Sequence, residues 1–368
     1  MKKAVLIAAG ILIVGACVLW VRGRSPAPDA DGRPVVKIGV ALPLSGEAGF
    51  IGQQAQKAAA LAWDKWRARD TKYRYELIFE DEQLSVRRGA MVANKFMYQD
   101  KVRATVSMWG NMPAILMDLS KKADVLNFSC TWGDGLFSDG VTNFNHTTSN
   151  RRHVEKLVEL LRGKNVRRVG LVTQHSRSDA QFRIILLDAL KKNGFEVVFD
   201  EQFNMGNKDF QIFFAKHRNK RADMIFALLL PSDFTVFLKR KYEAGNTADI
   251  TTVDYFGMMN PAVVEGKTFV GSAVGSPAFV AKYPDISTAG CVGNVYDSVD
   301  MIINAFENAP AASGGIPTTA EAARFLHALG KWDGALGDLV ILPDGHIDSR
   351  AVIQAIQDGR VVTEGRIR

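Results

Sequence analysis

Apolar residues along this chain fall into short continuous runs separated by longer stretches of helical spacing. Residues 35–42 (VVKIGVAL) read as a strand buried on both faces. Residues 52–67 carry Ala55, Ala58, Ala59, Ala62 and Trp66 at the spacing of one helix face. Strand patterns at 75–79, 104–108 and 125–128 then alternate with helical patterns at 86–98 and 113–121. The alternation restarts with helix 153–161, strand 169–173, helix 180–192 closed by Asn193-Gly194, strand 196–200 and helix 210–217. Strand 224–229, helix 234–244 closed by Gly245, strand 251–255, helices 292–307 and 319–329 and strand 338–342 complete it.

Strand–helix alternation of this kind predicts parallel, doubly wound sheets. The restart predicts two Rossmann-like α/β lobes, and the late elements predict a hinge crossed several times. The expected division is a leader at 1–24, a linker at 25–34, a first lobe at 35–149 plus about 281–333, and a second lobe at 150–280 plus about 334–368. In open α/β sheets a ligand sits beyond the carboxyl ends of the strands. Those ends fall at 44–52, 107–111, 129–134, 174–179, 230–233 and 254–257.

The formal charge of +7 raises nucleic acid as a partner. Lys2, Lys3, Arg22 and Arg24 flank the first apolar run, and setting these four aside leaves +3 for the rest. The remaining basic residues are scattered, without the clustered face that nucleic acid needs. Met1-Lys2-Lys3, the apolar run 4–21 and Arg22-Gly23-Arg24 make an export signal. Val14-Gly15-Ala16-Cys17 is similar to a lipobox, which would lipidate Cys17; an uncleaved anchor and a soluble product, for which no A-x-A-like cut is well placed, are the other outcomes. All three put the domain outside the cytoplasmic membrane, and the first two tether it through the Pro/Gly/Asp linker at 25–34. With Cys17 in the leader, Cys130–Cys291 is the one disulfide available, and two unpaired thiols are the simpler reading.

Catalytic motifs are missing: there is no G-x-S-x-G, no H-E-x-x-H and no CxxC, and the six histidines are dispersed. Gly266-Lys267-Thr268 has Pro261 where a phosphate loop needs glycine. Glu80-Asp81-Glu82 at a strand end reads as a solvated turn. No enzyme activity, cofactor or metal is implied.

The run Ile38-Gly39-Val40-Ala41-Leu42-Pro43-Leu44-Ser45-Gly46, with Gly52 and an Ala-rich helix after it, resembles the opening of the leucine/isoleucine/valine-binding protein family. These are type I periplasmic substrate-binding proteins of ABC transporters. Glu80-Asp81, Lys164 to Val169, Asp209-Phe210, Ala222-Asp223, Tyr296 to Val299, Trp332 to Gly337 and Asp344-Gly345 match later landmarks in order.

The resemblance implies a small solute held between the lobes and a membrane permease as partner. In amino-acid binders two first-lobe loops grip the carboxylate. They fall here at Met108-Trp109-Gly110-Asn111, without the family's serines, and at Ser129-Cys130-Thr131-Trp132. The second-lobe acid that takes the ammonium falls at Asp254 by ungapped count back from Gly266. The family's aromatic positions fall near Ser178 and Leu230, where both are replaced, and near Phe50-Ile51. The expected site is therefore Asp254 for an amino group, Trp109 and Trp132 for stacking, and Asn111, Ser129, Thr131, Ser178 and Phe50 around them. A membrane-tethered sensor of the same fold is the alternative function, and a two-domain α/β enzyme the more distant one.

Overall fold

The computed structural model describes residues 32–46, 48–207, 209–273, 275–286, 289–312 and 314–363. The leader, Cys17 and most of the linker lie outside the described residues.

The first lobe begins with β1 (Val35–Leu42), α1 (Gly49–Arg67), β2 (Arg74–Asp81), α2 (Val86–Asn94), β3 (Ala104–Met108), α3 (Met112–Ala123), β4 (Leu126–Cys130) and β5 (Asn143–His146). The second holds α4 (Asn150–Gly163), β6 (Arg168–Gln174), α5 (Arg177–Lys192), β7 (Glu196–Phe203), α6 (Gln211–Lys216), β8 (Met224–Leu228), α7 (Pro231–Glu243), β9 (Asp249–Thr251), α8 (Pro261–Val264) and β10 (Thr268–Ser272). The chain then returns through α9 (Pro277–Lys282), α10 (Val292–Asn308), α11 (Thr319–Leu329), β11 (Lys331–Gly334), β12 (Gly337–Ile341) and β13 (His346–Asp348). It ends with β14 (Ala351–Gln357) and β15 (Arg360–Thr363) in the second lobe.

The first sheet has eight strands in the order β11-β12-β13-β5-β4-β3-β1-β2, parallel from β2 to β13. The second lobe has a parallel sheet, β7-β6-β8-β9, and an antiparallel one, β10-β14-β15. The expected boundary near residue 334 is corrected: β12 and β13 extend the first sheet, because β13 pairs with β5. The second lobe regains the chain only after Asp348.

Small residues set the close packing of the first lobe. Ala55, Ala58, Ala59 and Ala62 of α1 are fully buried in one core with Val295, Val299 and Ile302 of α10. Gly52 admits no side chain, since a Cβ there would lie 2.0 Å from the Pro43 carbonyl oxygen. On α10, Asp300 takes Lys65 and the Trp66 indole, both at 2.7 Å, which balances its burial.

The chain crosses between lobes around 147–149, 275–276 and 349–350. These crossings bond to one another. The Thr147 N–H donates to the Ile347 carbonyl (3.2 Å) and the Ala273 N–H to that of Arg350 (2.8 Å). Thr148 and Ser349 share a hydroxyl bond, and the Ser149 N–H donates to Asp348 (2.9 Å).

Candidate functional site

The loop after β4 is the key to the cleft. Cys130 is bonded to Cys291, just before α10, with 5.9 Å between Cα atoms. The two thiols are thus paired and not free. The bond ties the loop carrying Trp132 to the segment carrying Gly290.

Trp132 belongs to the first lobe by sequence, yet its indole lies on the second. Its ring centroid is 5.2 Å from Tyr255, 6.2 Å from Phe182 and 6.3 Å from His153. Asp134 fixes this pose. Its carboxylate accepts from the backbone N–H groups of Asn150 (2.8 Å) and Arg151 (3.4 Å), at the N-terminus of α4. The Asp134 carbonyl accepts from Gln181 of α5 (2.9 Å).

Trp109 forms a second contact point across the lobes. A Cβ at Gly290 would meet Trp109 Cζ2 at 3.1 Å, Met258 Sδ at 3.0 Å and Ile51 Cγ2 at 3.3 Å. Three side chains from both lobes therefore converge on one glycine, whose φ is +61°. The rim of the second lobe is held by Gln174 and Asp233. Gln174 donates to Asp233 (2.6 Å) and accepts from the Leu230 N–H (2.9 Å), while Asp233 also accepts from the Gly206 N–H (2.7 Å).

Asp254 lies in the second lobe with its carboxylate already engaged. It accepts from the N–H (2.6 Å) and hydroxyl (3.1 Å) of Ser272, and His153 Nε2 is 3.3 Å away. Burial works against its charge, but His153 and Ser272 outweigh that and hold the carboxyl below the usual range. The site thus gives Asp254 partners within its own lobe, which the sequence pattern did not reveal.

The other expected residues divide. Ser129 is fully buried and its hydroxyl donates to Asn145 Oδ1 (3.0 Å). The Thr131 N–H donates to that same oxygen (3.2 Å), and the Thr131 carbonyl accepts from Asn145 Nδ2 (2.8 Å). Asn111 is exposed at the N-terminus of α3 and makes no capping bond. Phe50 is 71% exposed, and its neighbour Ile51 is the one that packs on the core. Ser178 is half-buried in the first turn of α5.

Next to Ser178 stands Asp179, which the sequence reading passed over. It is 6% exposed. Burial pushes its carboxyl up to about 6, against hydrogen bonds from Ser176 and the backbone at Gln174. Burial, then the charges of Asp179 and Asp254, raises the Tyr255 phenol well above its usual range. Glu80-Asp81-Glu82 is not a solvated turn. Asp81 accepts from the Leu44 N–H (2.9 Å) and Ser45 (2.6 Å), Glu80 pairs with Lys95 (2.9 Å), and burial pushes Glu82 up to about 7. Among the described residues no group of three His, Cys, Asp or Glu could hold a metal ion, and no helix is long and apolar enough to cross a membrane.

The sequence pattern of the family described as periplasmic binding protein matches residues 35–360. No curated protein matches the chain. The fold is similar to that of a leucine binding protein from Thermotoga maritima, at 17% identity and a TM-score of 0.78, over 89% of this chain and 97% of that one. It is similar to a branched-chain amino acid transporter substrate binding protein from Streptococcus pneumoniae in complex with isoleucine, at 21% identity and 0.73, over 89% and 99%. A solute binding protein from R. palustris in complex with benzoate matches at 12% identity and 0.73, over 90% and 95%.

Proposed function

Because the chain belongs to the periplasmic binding protein family, a family of binding proteins and not enzymes, we propose that it is the extracytoplasmic solute-binding subunit of an ABC transporter. It closes on an amino acid or a similar small amine or carboxylate in the cleft between its lobes. The observation that carries this reading is the cluster of half-exposed aromatic and buried acidic side chains that both lobes build beyond their strand ends. Closure is then read by permease subunits. The relatives' leucine-type and benzoate ligands support an amine- or carboxylate-bearing solute of similar size.

The leader supports a tether to the membrane, through lipid on Cys17 or through the apolar run 4–21 itself. The continuous apolar run past Cys17, through Val18 to Val21, favours the anchored sensor as the second reading.

A thermal-shift screen against amino acids, amides, purines and aromatic acids tests the proposal. A ligand at one hundred times its dissociation constant adds about 2.7 kcal/mol to stability. Stabilisation by such a solute is the expected result. No shift with any of them moves the weight to the sensor.

A further inference from the structure

We propose that the end of the second lobe opposite the cleft is a docking surface for an anionic phospholipid bilayer, held through exposed Lys and Arg side chains and the Tyr242 ring. The proposal is independent of the solute held in the cleft.

Topology gathers the charge. β7, β6, β8 and β9 are neighbours and run parallel, so the connections that enter them all emerge on one edge. Arg162 and Arg167 lead into β6, Lys191 into β7, and Arg218, Lys220 and Arg221 into β8. All six are exposed. They are scattered along the sequence but share one face of the fold, which corrects the expectation that no basic face forms. The strands run from this edge toward the cleft, so a partner bound here leaves the cleft mouth free.

The positive charge there is in excess. Among the described residues none of the six forms a salt bridge, whereas the neighbouring acids are engaged. Asp223 accepts from the backbone N–H groups of Arg167 (2.9 Å) and Arg168 (2.8 Å). Glu196 pairs with Arg168 (3.3 Å), Asp188 with Lys192 (2.7 Å), and Asp249 with Lys164 (3.1 Å) and Lys267 (3.4 Å). Basic side chains at helix C-termini complement the helix dipole, which accounts for Arg162 and Lys191 in the last turns of α4 and α5. Arg167, Lys220 and Arg221 lie past the helix ends, where that task does not arise.

Tyr242 points to a bilayer and not to a soluble polyanion. It stands in the last turn of α7, ahead of β9 on the same edge, and is 90% exposed. A ring that carries a hydroxyl suits the headgroup layer, where Tyr and Trp concentrate. A depression of about 260 Å³ on this edge is lined by Arg162, Arg167 and the half-buried Phe195. Guanidinium and apolar surface thus border one space, which matches a lipid phosphate and the glycerol beneath it. The family is periplasmic, which puts a phospholipid surface within reach of this face.

The test places full-length protein in nanodiscs of neutral phosphatidylcholine, which occupy its apolar leader. Sucrose-loaded vesicles are then added, of phosphatidylcholine alone or mixed in equal parts with phosphatidylglycerol, and sedimentation reads how much protein they capture. The mixed vesicles should capture it at least about tenfold better than the neutral ones, and capture should fall as salt rises. Arg167→Gln, Lys220→Gln and Arg221→Gln together should weaken capture at least about tenfold, and Tyr242→Ser roughly threefold. Should the triple variant fail to fold, the lipid comparison and the salt series on the unaltered protein carry the test with Tyr242→Ser. Equal capture by neutral and mixed vesicles, or unchanged capture of a folded triple variant, overturns the proposal. Polyphosphate or a DNA duplex that binds as tightly as the mixed vesicles, with capture of Tyr242→Ser unchanged, makes the face a general polyanion site and overturns the bilayer. None of these outcomes alters the solute-binding reading.

Discussion

His146 sits at the end of β5, one residue before the first crossing between lobes. It is fully buried. Burial pulls its pKa down to about 3, and nearby His346 adds to this, while the backbone of Asn294 and the carboxylate of Asp348 pull the other way. The unfolded chain returns the imidazole to about 6.5, so between those values the unfolded state binds more protons. Stability from this residue is therefore present above pH 6.5 and lost as pH falls toward 3. At 1.36 kcal/mol per unit, the loss between pH 7 and pH 5 is about 2 kcal/mol. Glu82, Asp179 and Asp297 carry raised carboxyls and change stability in the opposite sense over part of this range. The quantity to measure is thus the difference between the protein and His146→Asn in urea unfolding at pH 7, 6 and 5. The advantage of the unaltered protein should shrink by about 2 kcal/mol across that range. A difference that stays constant with pH would show that His146 does not titrate as a buried neutral group, and would refute the reasoning.

The disulfide closes a span of 161 residues, for which chain entropy gives an upper figure of about 5 kcal/mol. Cys291→Ser should lower the melting temperature, and reductant should do so in the unaltered protein but not in the variant. A Cβ on Gly334 would lie 2.4 Å from the buried Asp297 carboxylate, so Gly334→Ala should destabilise by about 2 kcal/mol or more in denaturant titration. Asn145→Ala should lose about 2–4 kcal/mol in the same assay, because it strands both backbone groups of Thr131 and leaves the Ser129 hydroxyl only its longer bond to the Phe144 carbonyl. Phe50→Ser should stay within about 0.5 kcal/mol of the parent, since that ring is largely in solvent.

Much of the fold was legible because its strands are apolar on both faces. β1, β3 and β8 are buried along their whole length or nearly so, and their sequences say as much. β5 was missed for a physical reason. Its sequence is Asn-Phe-Asn-His, and its polar side chains are buried by bonding to neighbouring strands, as Asn127 to Asn143 (2.9 Å) and Ser129 to Asn145. No hydrophobic pattern marks such a strand. β14 and β15 were missed because they form a small antiparallel sheet with half-buried faces. At the site, counting along the chain found Asp254 but not its partners, since His153 belongs to another helix and Ser272 to another strand. Asp179 reads locally as a third-position helix residue behind a Ser176 cap, and only burial separates it from the common solvated case. Phe50 and Ile51 show the limit of alignment by eye. One residue is about 100° on a helix, and that turn decides which of them meets the core.

Trp132 also bears on how the lobes part. The bonds among the crossing segments, Thr147 with Ile347 and Ala273 with Arg350, run within the hinge and need not break when it opens. The bonds of Asp134 to the N-terminus of α4, and of Gln181 to the Asp134 carbonyl, join the first lobe's loop to the second lobe. So do the ring contacts of Trp132 with Tyr255 and Phe182. Charge-assisted bonds contribute about 1.5–3 kcal/mol each and aromatic pairs about 0.5–1.5 kcal/mol beyond their burial. Several such terms favour closure without a ligand, and every 1.4 kcal/mol shifts the closed-to-open ratio tenfold. These contacts of the Trp132 loop add to the bonds of the hinge in joining the two lobes.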